Sequence, residues 1–197
     1  NNNPDEPRIV CAIASITLSN IVYENCQVTN CYTKNPNFRA MGFITACVPT
    51  DPDFPYGSVN NITYDRCNLS DIHSTRNYAI GISLYVSANN QTGFQSSYSN
   101  MTVRDCVIQK ISNASSNGLT AGVYAGISLD EVIGMYPLSN NFHIENCRIS
   151  DVKSDGCAIS AGIVANASKR PTMLNNTIVD CDRGILLTGT NNIIPNA

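Results

Sequence analysis

Tryptophan is absent from this chain of 197 residues, charged residues make up only 14% of it, and there are two histidines. No apolar run approaches the roughly 18 residues of a membrane-spanning helix, so we expect no transmembrane segment. The net charge of -3 and the lack of a basic stripe argue against a nucleic-acid partner. With so few histidines and no Cys-x-x-Cys pair, the sequence predicts no metal site and no cofactor.

The chain also lacks an initiator methionine and a signal peptide, and it opens on Asn1-Asn2-Asn3-Pro4. Its apolar fraction of 43% suffices for one hydrophobic core, so residues 1–197 are interpreted as a single domain. Neither end has the polar or helical cap that solenoid ends normally need. We therefore expect the domain to be part of a longer protein, or to be covered at one end by a partner.

A short phrase occurs five times: a polar pair, a small residue and, two places further on, an apolar residue. The small residue is Cys26, Cys67, Cys106 and Cys147 in four copies, and Thr177 is assigned to it in the fifth. Repetition at such a period is typical of a solenoid. The five copies are Glu24–Val28, Asp65–Leu69, Arg104–Ile108, Glu145–Ile149 and Asn175–Val179.

A second phrase, glycine followed by an apolar residue, alternates with the first. It occurs at Gly42, Gly81, Gly122, Gly162 and Gly184. Each of the first three glycines precedes the next cysteine by 25 residues, whereas Gly162 precedes Thr177 by 15. The early repeats therefore carry added loops at a fixed place.

Apolar residues alternate around each cysteine, as in Ile62, Tyr64, Cys67 and Leu69, with one skipped beat at the polar pair. This pattern predicts two short strands joined at a corner. The many Ile, Val and Thr residues, and the interruptions by Gly and Asn, argue against helices. Strands repeated in this way without helices between them are expected to stack in parallel.

Residues 175–187, Asn-Asn-Thr-Ile-Val-Asp-Cys-Asp-Arg-Gly-Ile-Leu-Leu, resemble a minimal repeat of pectin-lyase-like proteins, especially the family of carbohydrate-binding proteins and sugar hydrolases. The resemblance extends over roughly residues 8 to 190. It implies an all-β fold, a single-stranded right-handed parallel β-helix of about five to six coils with inserted loops on one side. The resemblance is specific for the fold and weak for function, because the repeat supplies the rungs of the solenoid rather than active sites.

The four repeated cysteines occupy one inward position, so we expect a ladder of small buried residues about 4.8 Å apart. The same spacing is within reach of a disulfide, and an odd total of nine cysteines leaves at least one thiol, so their redox state is left open. The remaining cysteines lie off the ladder: Cys11, Cys31, Cys47, Cys157 and Cys181. Seven Asn-x-Ser/Thr sequons, mostly expected by chance, occur at Asn61, Asn68, Asn90, Asn100, Asn113, Asn166 and Asn175.

Enzymes of the resembled group use clustered carboxylates, which hold Ca²⁺ against a uronate in lyases or act as acid and base in hydrolases. In this chain each acidic column of the repeat also contains a base. The column two residues before the cysteine, for example, reads Glu24, Asp65, Arg104 and Glu145. We interpret such columns as structural charge ladders.

One charged pair, Asp182-Arg183, departs from this pattern and is the only candidate for catalysis. A lyase could use such an arginine to take a proton or to neutralise a uronate, whereas a terminal repeat could simply let Arg183 reach solvent. The corresponding residue before glycine is apolar in the other repeats: Met41, Ile80, Ala121 and Ala161.

The inserted loops are the candidate carbohydrate-binding surface, because stacking would place them on one side of the solenoid. Aromatic rings beside hydrogen-bonding groups suit sugar rings. One alternative is that the aromatics fold inward over the outer face of the glycine strands. Another is that this outer face meets another subunit, since its expected outward residues are mostly apolar: Ile44, Tyr124, Val164 and Leu186. The candidate residues are Asp51, Asp53, Phe54, Tyr56, Phe94, Tyr98, Asp130, Glu131 and Tyr136.

The sequence thus favours a non-catalytic surface module that presents a lateral face to a carbohydrate or a partner protein. Its expected location is extracellular, at the surface of a cell or a virion, and its expected partners are a glycan, a second copy or the rest of a longer chain. The enzymatic alternative is a polysaccharide lyase, which would use Ca²⁺, or a glycoside hydrolase.

Overall fold

The computed structural model is all-β in the part of the chain that it describes. That part comprises residues 8–16, 19–34, 38–47, 56–75, 78–86, 95–116, 118–127, 139–157, 159–166, 168–169 and 171–188. In chain order the strands are β1 (Arg8–Ile16), β2 (Ile21–Glu24), β3 (Gln27–Thr33), β4 (Phe38–Cys47), β5 (Tyr56–Asp65), β6 (Asn68–Ser74), β7 (Ala79–Val86), β8 (Gln95–Arg104), β9 (Val107–Asn113), β10 (Leu119–Ile127), β11 (Ser139–Glu145), β12 (Arg148–Ser154), β13 (Ile159–Asn166), β14 (Ser168–Lys169), β15 (Thr172–Leu174), β16 (Thr177–Val179) and β17 (Ile185–Thr188).

The strands form three parallel sheets, and the chain visits the sheets in turn. Sheet A has the order β1-β4-β7-β10-β13-β17, and sheet C has the order β3-β6-β9-β12-β16. Sheet B contains β2-β5-β8-β11, with both β14 and β15 paired to β11. One strand from each sheet makes a rung, so the predicted parallel β-solenoid is confirmed.

The core lies between the three sheets and is filled by aliphatic and aromatic side chains from every rung. Ile62, Ile72, Ile82, Ile108 and Phe142 are all essentially inaccessible to solvent. Alternation of outward and inward side chains places these residues inside, as expected for strands with one buried face. The sheets therefore hold one another through a continuous apolar interior.

In the described part of the chain, fourteen residues other than glycine have left-handed backbone conformation, with φ between 51° and 60°. They form three columns with one residue per rung. The first begins just before β2 and continues inside β5, β8 and β11 of sheet B, the second lies at the corner between sheets B and C, and the third lies inside β3, β6, β9 and β12 of sheet C and ends just after β16. Most are asparagine or aspartate, the residue types that adopt this conformation most readily. The columns are Asn20, Asn61, Asn100 and Asn141; Asn25, Arg66, Asp105, Asn146 and Asn175; and Asn30, Asp71, Lys110, Asp151 and Asp180.

The column within sheet C interrupts the alternation of burial in every strand that contains it. In β3, for example, both Thr29 and Asn30 are exposed, and Cys31 returns to the core. The sequence predicted one skipped beat, at the polar pair. The structure has a second one, four residues after each ladder cysteine.

The first column of left-handed residues is an asparagine ladder. The side-chain amide of Asn61 donates to Asn20 Oδ1 (2.8 Å), that of Asn100 donates to Asn61 Oδ1 (3.0 Å), and that of Asn141 donates to Asn100 Oδ1 (3.2 Å). The side-chain amides of Asn61 and Asn100 thus each accept from one rung and donate to another. Two of the sequons, at Asn61 and Asn100, belong to this ladder, and the Asn113 sequon is buried.

The cysteine ladder lies at the corner between sheets B and C, as expected. Cys67, Cys106 and Cys147 are buried, and Cys26 is partly exposed at the first rung. The thiols of Cys67, Cys106 and Cys147 donate to backbone carbonyls of the preceding rung, such as Tyr64 O for Cys106. The seven cysteines whose side chains the structure describes carry thiols rather than disulfides.

The last member of this column is Asn176, so the alignment of Thr177 with the cysteines is wrong by one residue. Thr177 pairs with Arg148, which places Asn176 beside Cys147. Asn176 Oδ1 accepts from Cys147 N (3.0 Å), as Cys106 Sγ accepts from Cys67 N (3.4 Å). The Asn176 amide also donates to Ile144 O (2.9 Å), which reproduces the thiol-to-carbonyl contact of the cysteines.

The glycine column lies in sheet A, where its members face the core. A Cβ atom at Gly122 would lie 2.6 Å from Ile149 Cγ2 and 2.7 Å from Gly162 O. Comparable contacts surround Gly42, Gly81 and Gly162, so close approach of the next strand explains glycine at these positions. At Gly184, in the last rung, a Cβ would meet no atom within 4 Å.

Candidate functional site

The outer face of sheet A is buried rather than exposed. Ile44, Tyr124 and Val164, which the sequence placed on this face, retain at most 4% of their accessible surface. They belong to a second apolar cluster that is separate from the central core, and Leu186 packs against it. The residues of this face whose side chains the structure describes therefore offer no large exposed apolar surface to a second subunit.

The structure gives a partial account of the predicted loop site. Tyr56 and Tyr98 lie in strands β5 and β8 of sheet B, so their assignment to loops is wrong. The side chains of both residues lie outside the described part. The other seven candidates also lie outside it: Asp51, Asp53, Phe54, Phe94, Asp130, Glu131 and Tyr136.

The candidate catalytic pair is found at the end of the described solenoid. Asp182 Oδ2 accepts hydrogen bonds from Ser160 Oγ (2.7 Å), the Ser154 backbone N–H (2.9 Å) and Ser154 Oγ (3.3 Å). These contacts tie the corner after sheet C to β13, which gives Asp182 a structural role. Arg183 is exposed in this terminal rung, and catalysis by the pair stays a prediction.

The charge ladders predicted from the sequence are confirmed on sheet B and its corner. Asp65 is 3% exposed, and one of its carboxylate oxygens lies 2.8 Å from Arg104 and 3.3 Å from Arg66. Arg66 also contacts Glu24 on the preceding rung. Hydrogen bonding from Arg104, reinforced by the positive charges of both arginines, holds the pKa of Asp65 below its ordinary value.

The next rung of the same face has a histidine-carboxylate contact. His143 Nε2 lies 3.0 Å from Glu145 Oε2, and both side chains are about one-third exposed. These charged groups of sheet B and its corner are therefore occupied by contacts with one another. Among the described residues, no group of three or more His, Cys, Asp or Glu could hold a metal ion.

The outer face of sheet C has a different arrangement, an open groove of about 470 Å³. Two neighbouring columns line it. One is the left-handed column within the strands, and the other consists of the residues six places after each ladder cysteine. We call this surface the sheet C groove. Its lining residues are Asn30, Tyr32, Asp71, His73, Lys110 and Ser112.

An aromatic pair occupies one side of the groove. The rings of Tyr32 and His73 are stacked, with centroids 5.1 Å apart and planes inclined by 11°. His73 Nδ1 and Ser112 Oγ share a hydrogen bond of 2.8 Å. Parallel in-register pairing of β3, β6 and β9 places these three residues in one row across the sheet.

Charged groups flank this row. Lys110 Nζ lies 3.6 Å from Asp71 Oδ1, and both side chains are substantially exposed. The ammonium group of Lys34 lies over the Tyr32 ring, 5.8 Å from its centroid. The groove thus combines an aromatic edge, an amide, a hydroxyl and an ion pair at successive strand spacings.

The sequence reasoning missed this groove because neither of its two columns keeps one residue type from rung to rung. The signal was nevertheless available in the repeat itself. Counting six places after each ladder cysteine gives Tyr32, His73, Ser112 and Lys153.

No family model, no curated protein and no solved structure is significantly similar to this chain. The described residues also contain no helix of the length and hydrophobicity needed to cross a bilayer. The outer faces of the solenoid are therefore the guide to its function.

Proposed function

We propose that the protein is a non-catalytic, right-handed β-helix of the pectin-lyase-like type that displays a lateral face to a carbohydrate or a partner protein. The right-handed sense is supported by a general rule: crossover connections between parallel strands of one sheet are nearly always right-handed. Display of this kind fits an extracellular position at a cell or virion surface. The observation that carries the proposal is the sheet C groove, where polar and aromatic groups lie open on a rigid scaffold.

The scaffold supports this function because its ladders fix outward groups at regular intervals. Asparagine side chains bond from rung to rung, and in-register strands set the spacing of every column. A binding face built on strands loses little conformational freedom when a ligand binds. Flexible loops would not be needed to form it.

The acidic residues support binding over catalysis. Asp65, Asp71 and Glu145 each contact a basic or histidine side chain, and Asp182 accepts three hydrogen bonds. A general acid and a general base instead need two carboxyl groups that face the same glycosidic bond. The enzymatic alternative, a lyase or glycoside hydrolase, is tested in the same experiment as the binding function.

The test is a glycan-array screen of the purified chain, in which reducing ends and the ultraviolet absorbance of unsaturated uronates are followed for each binder. We expect binding without product. Formation of product would contradict the non-catalytic assignment and direct mutagenesis to Asp182 and Arg183.

Two variants then locate the face that binds. Tyr32→Ala removes an exposed aromatic residue of sheet C, whereas Tyr98→Ala changes a residue of the predicted loop site that lies in strand β8. We expect only Tyr32→Ala to weaken binding. Absence of binding to every glycan and to candidate partner proteins would overturn the proposed function.

A further inference from the structure

The sheet C groove has the shape of a continuous strip along the stacking direction of the rungs. Its aromatic end is formed by Tyr32, whose side chain is 46% exposed although it is stacked on His73. Beyond His73 the strip continues through Ser112 to Lys153, each residue paired with its neighbour in the sheet. Hydroxyl, imidazole and phenol groups therefore follow one another at the spacing of parallel strands, about 4.8 Å.

The charges along the strip are balanced within the protein. Lys110 is 3.6 Å from Asp71, and Lys153 is 3.2 Å from Asp151. Lys34 adds one positive charge at the aromatic end, where it lies over the Tyr32 ring. A carboxylate or sulfate group on a ligand would meet Asp71 and Asp151 as well as the lysines, so the strip has no strong preference for an anion.

Resting on the proposed function, we infer that the sheet C groove binds a neutral, hydroxyl-rich saccharide. Sugar hydroxyls both donate and accept hydrogen bonds, and the groove offers both kinds of partner. Asn30 supplies an amide, Ser112 a hydroxyl and Asp71 an acceptor, while Lys110 supplies donors. The exposed part of the Tyr32 ring packs against the apolar face of a sugar ring.

The other two outer faces are less suited to this ligand. On sheet A the outward residues are buried in the second apolar cluster. On sheet B the ladder amides of Asn61 and Asn100 bond to each other, and Asp65 is held by arginines. Asp65 is also 3% exposed, whereas the side chains of Lys110 and Asp71 in the groove are 59% and 42% exposed and keep donors and acceptors for a ligand.

The chain contains two histidines, so the groove and sheet B can each be monitored through one imidazole ring. His73 lies in the groove, whereas His143 lies on sheet B beside Glu145. Carbon-proton NMR spectra of the imidazole rings are recorded while the full chain is titrated with cellohexaose or mannohexaose as neutral probes. A hexamer of galacturonate is the acidic probe.

We expect a neutral probe to shift the His73 signals and to leave those of His143 unchanged. Tyr32→Ala should weaken that binding by about tenfold or more, since the ring contact is lost. The control is Val22→Ala on the outward side of β2, where Val22 is 62% exposed. This variant should bind like the original chain.

A preference for the acidic probe, with affinity that falls steeply as salt is raised, would overturn the neutral-ligand inference and leave the display function standing. Binding that shifts only His143, or that survives Tyr32→Ala but not Tyr98→Ala, would overturn the groove and not the function. Failure of all probes to bind at millimolar concentration would overturn the inference, and the glycan and partner screen then decides the proposed function separately.

Discussion

At the residue scale, glycine in sheet A is explained by the approach of the neighbouring strand rather than by an unusual φ angle. Gly122 faces both Ile149 and the carbonyl of Gly162, and a side chain would have to displace backbone. Gly184 has open space in the same position of the last rung. Gly184 is therefore a control, within the same column, for substitutions at Gly122.

We predict that Gly122→Ala lowers the free energy of unfolding by about 1–3 kcal/mol, because the added methyl group overpacks the core. Gly184→Ala should change it by less than about 0.5 kcal/mol. Urea unfolding followed by circular dichroism measures both. Equal losses in the two variants would show that the close contacts do not determine the choice of glycine.

A second residue-scale prediction concerns the end of the cysteine ladder. Asn176→Ala leaves Cys147 N–H and Ile144 C=O without their side-chain partner, so it should cost about 1–3 kcal/mol of stability. Thr177→Ala, at the adjacent exposed position, should be close to neutral. A larger loss of thermal stability in Thr177→Ala than in Asn176→Ala would indicate that Thr177 belongs to the ladder and would contradict the register of β12 and β16.

At the element scale, the charge ladder of sheet B links stability to pH. The pKa of Asp65 is lowered in the folded protein by the hydrogen bond from Arg104, so the ionised carboxylate favours folding. This contribution is fully present above the unfolded pKa of about 3.9 and is lost as the pH falls through the lower, folded value.

Asp65→Asn should therefore be less stable than the original chain at pH 7, and the difference should shrink below about pH 4. Unfolding in urea across this range provides the measurement. Asp155→Asn, at an exposed position on the turn after β12, is the control. A stability difference that does not vary with pH would argue against the ion pair as its cause.

The sequence predicted the parallel strands of the solenoid but not the register of its last rung. Alternating apolar residues and the regular glycines were sufficient for parallel strands, because burial and close approach leave direct marks on residue type. The position of Asn176 was missed because asparagine can replace the cysteine contacts through a longer side chain. Asn175, with φ of 52°, fixes the corner that the residue types alone left ambiguous.

The site was harder to predict than the fold, for a physical reason. Core columns repeat one kind of residue because they fill one kind of space, whereas the outward column that contains Tyr32 has no such constraint. Tyr32, His73 and Ser112 share a column but not a chemistry. Their contacts with one another appear only when the rungs are stacked.

At the scale of the whole molecule, each rung contacts mainly the rungs beside it, so stability should vary along the solenoid. The inward residues Ile185 and Leu187 of the last rung are 48% and 51% exposed, whereas Ile82 and Val123 of the middle rungs are fully buried. The last described rung therefore lacks part of the apolar contact that supports the others.

We predict that amide hydrogen exchange is slowest in β6, β7 and β9 and fastest in β16 and β17. Mass spectrometry of peptic fragments under native conditions resolves these segments. Uniform protection from the middle rungs to the last would indicate that the whole solenoid opens as one cooperative unit.

The asparagine ladder also has a mechanical consequence. Its hydrogen bonds, like those between the strands, point from one rung to the next, along the direction in which rungs are stacked. A pulling force applied along that direction would load the bonds of one rung at a time, so the protein would peel apart stepwise at low force. A force applied along the strands would instead load many bonds together in shear. The molecule should therefore resist a force parallel to its strands, applied at a displayed face, better than a force that pulls its two ends apart.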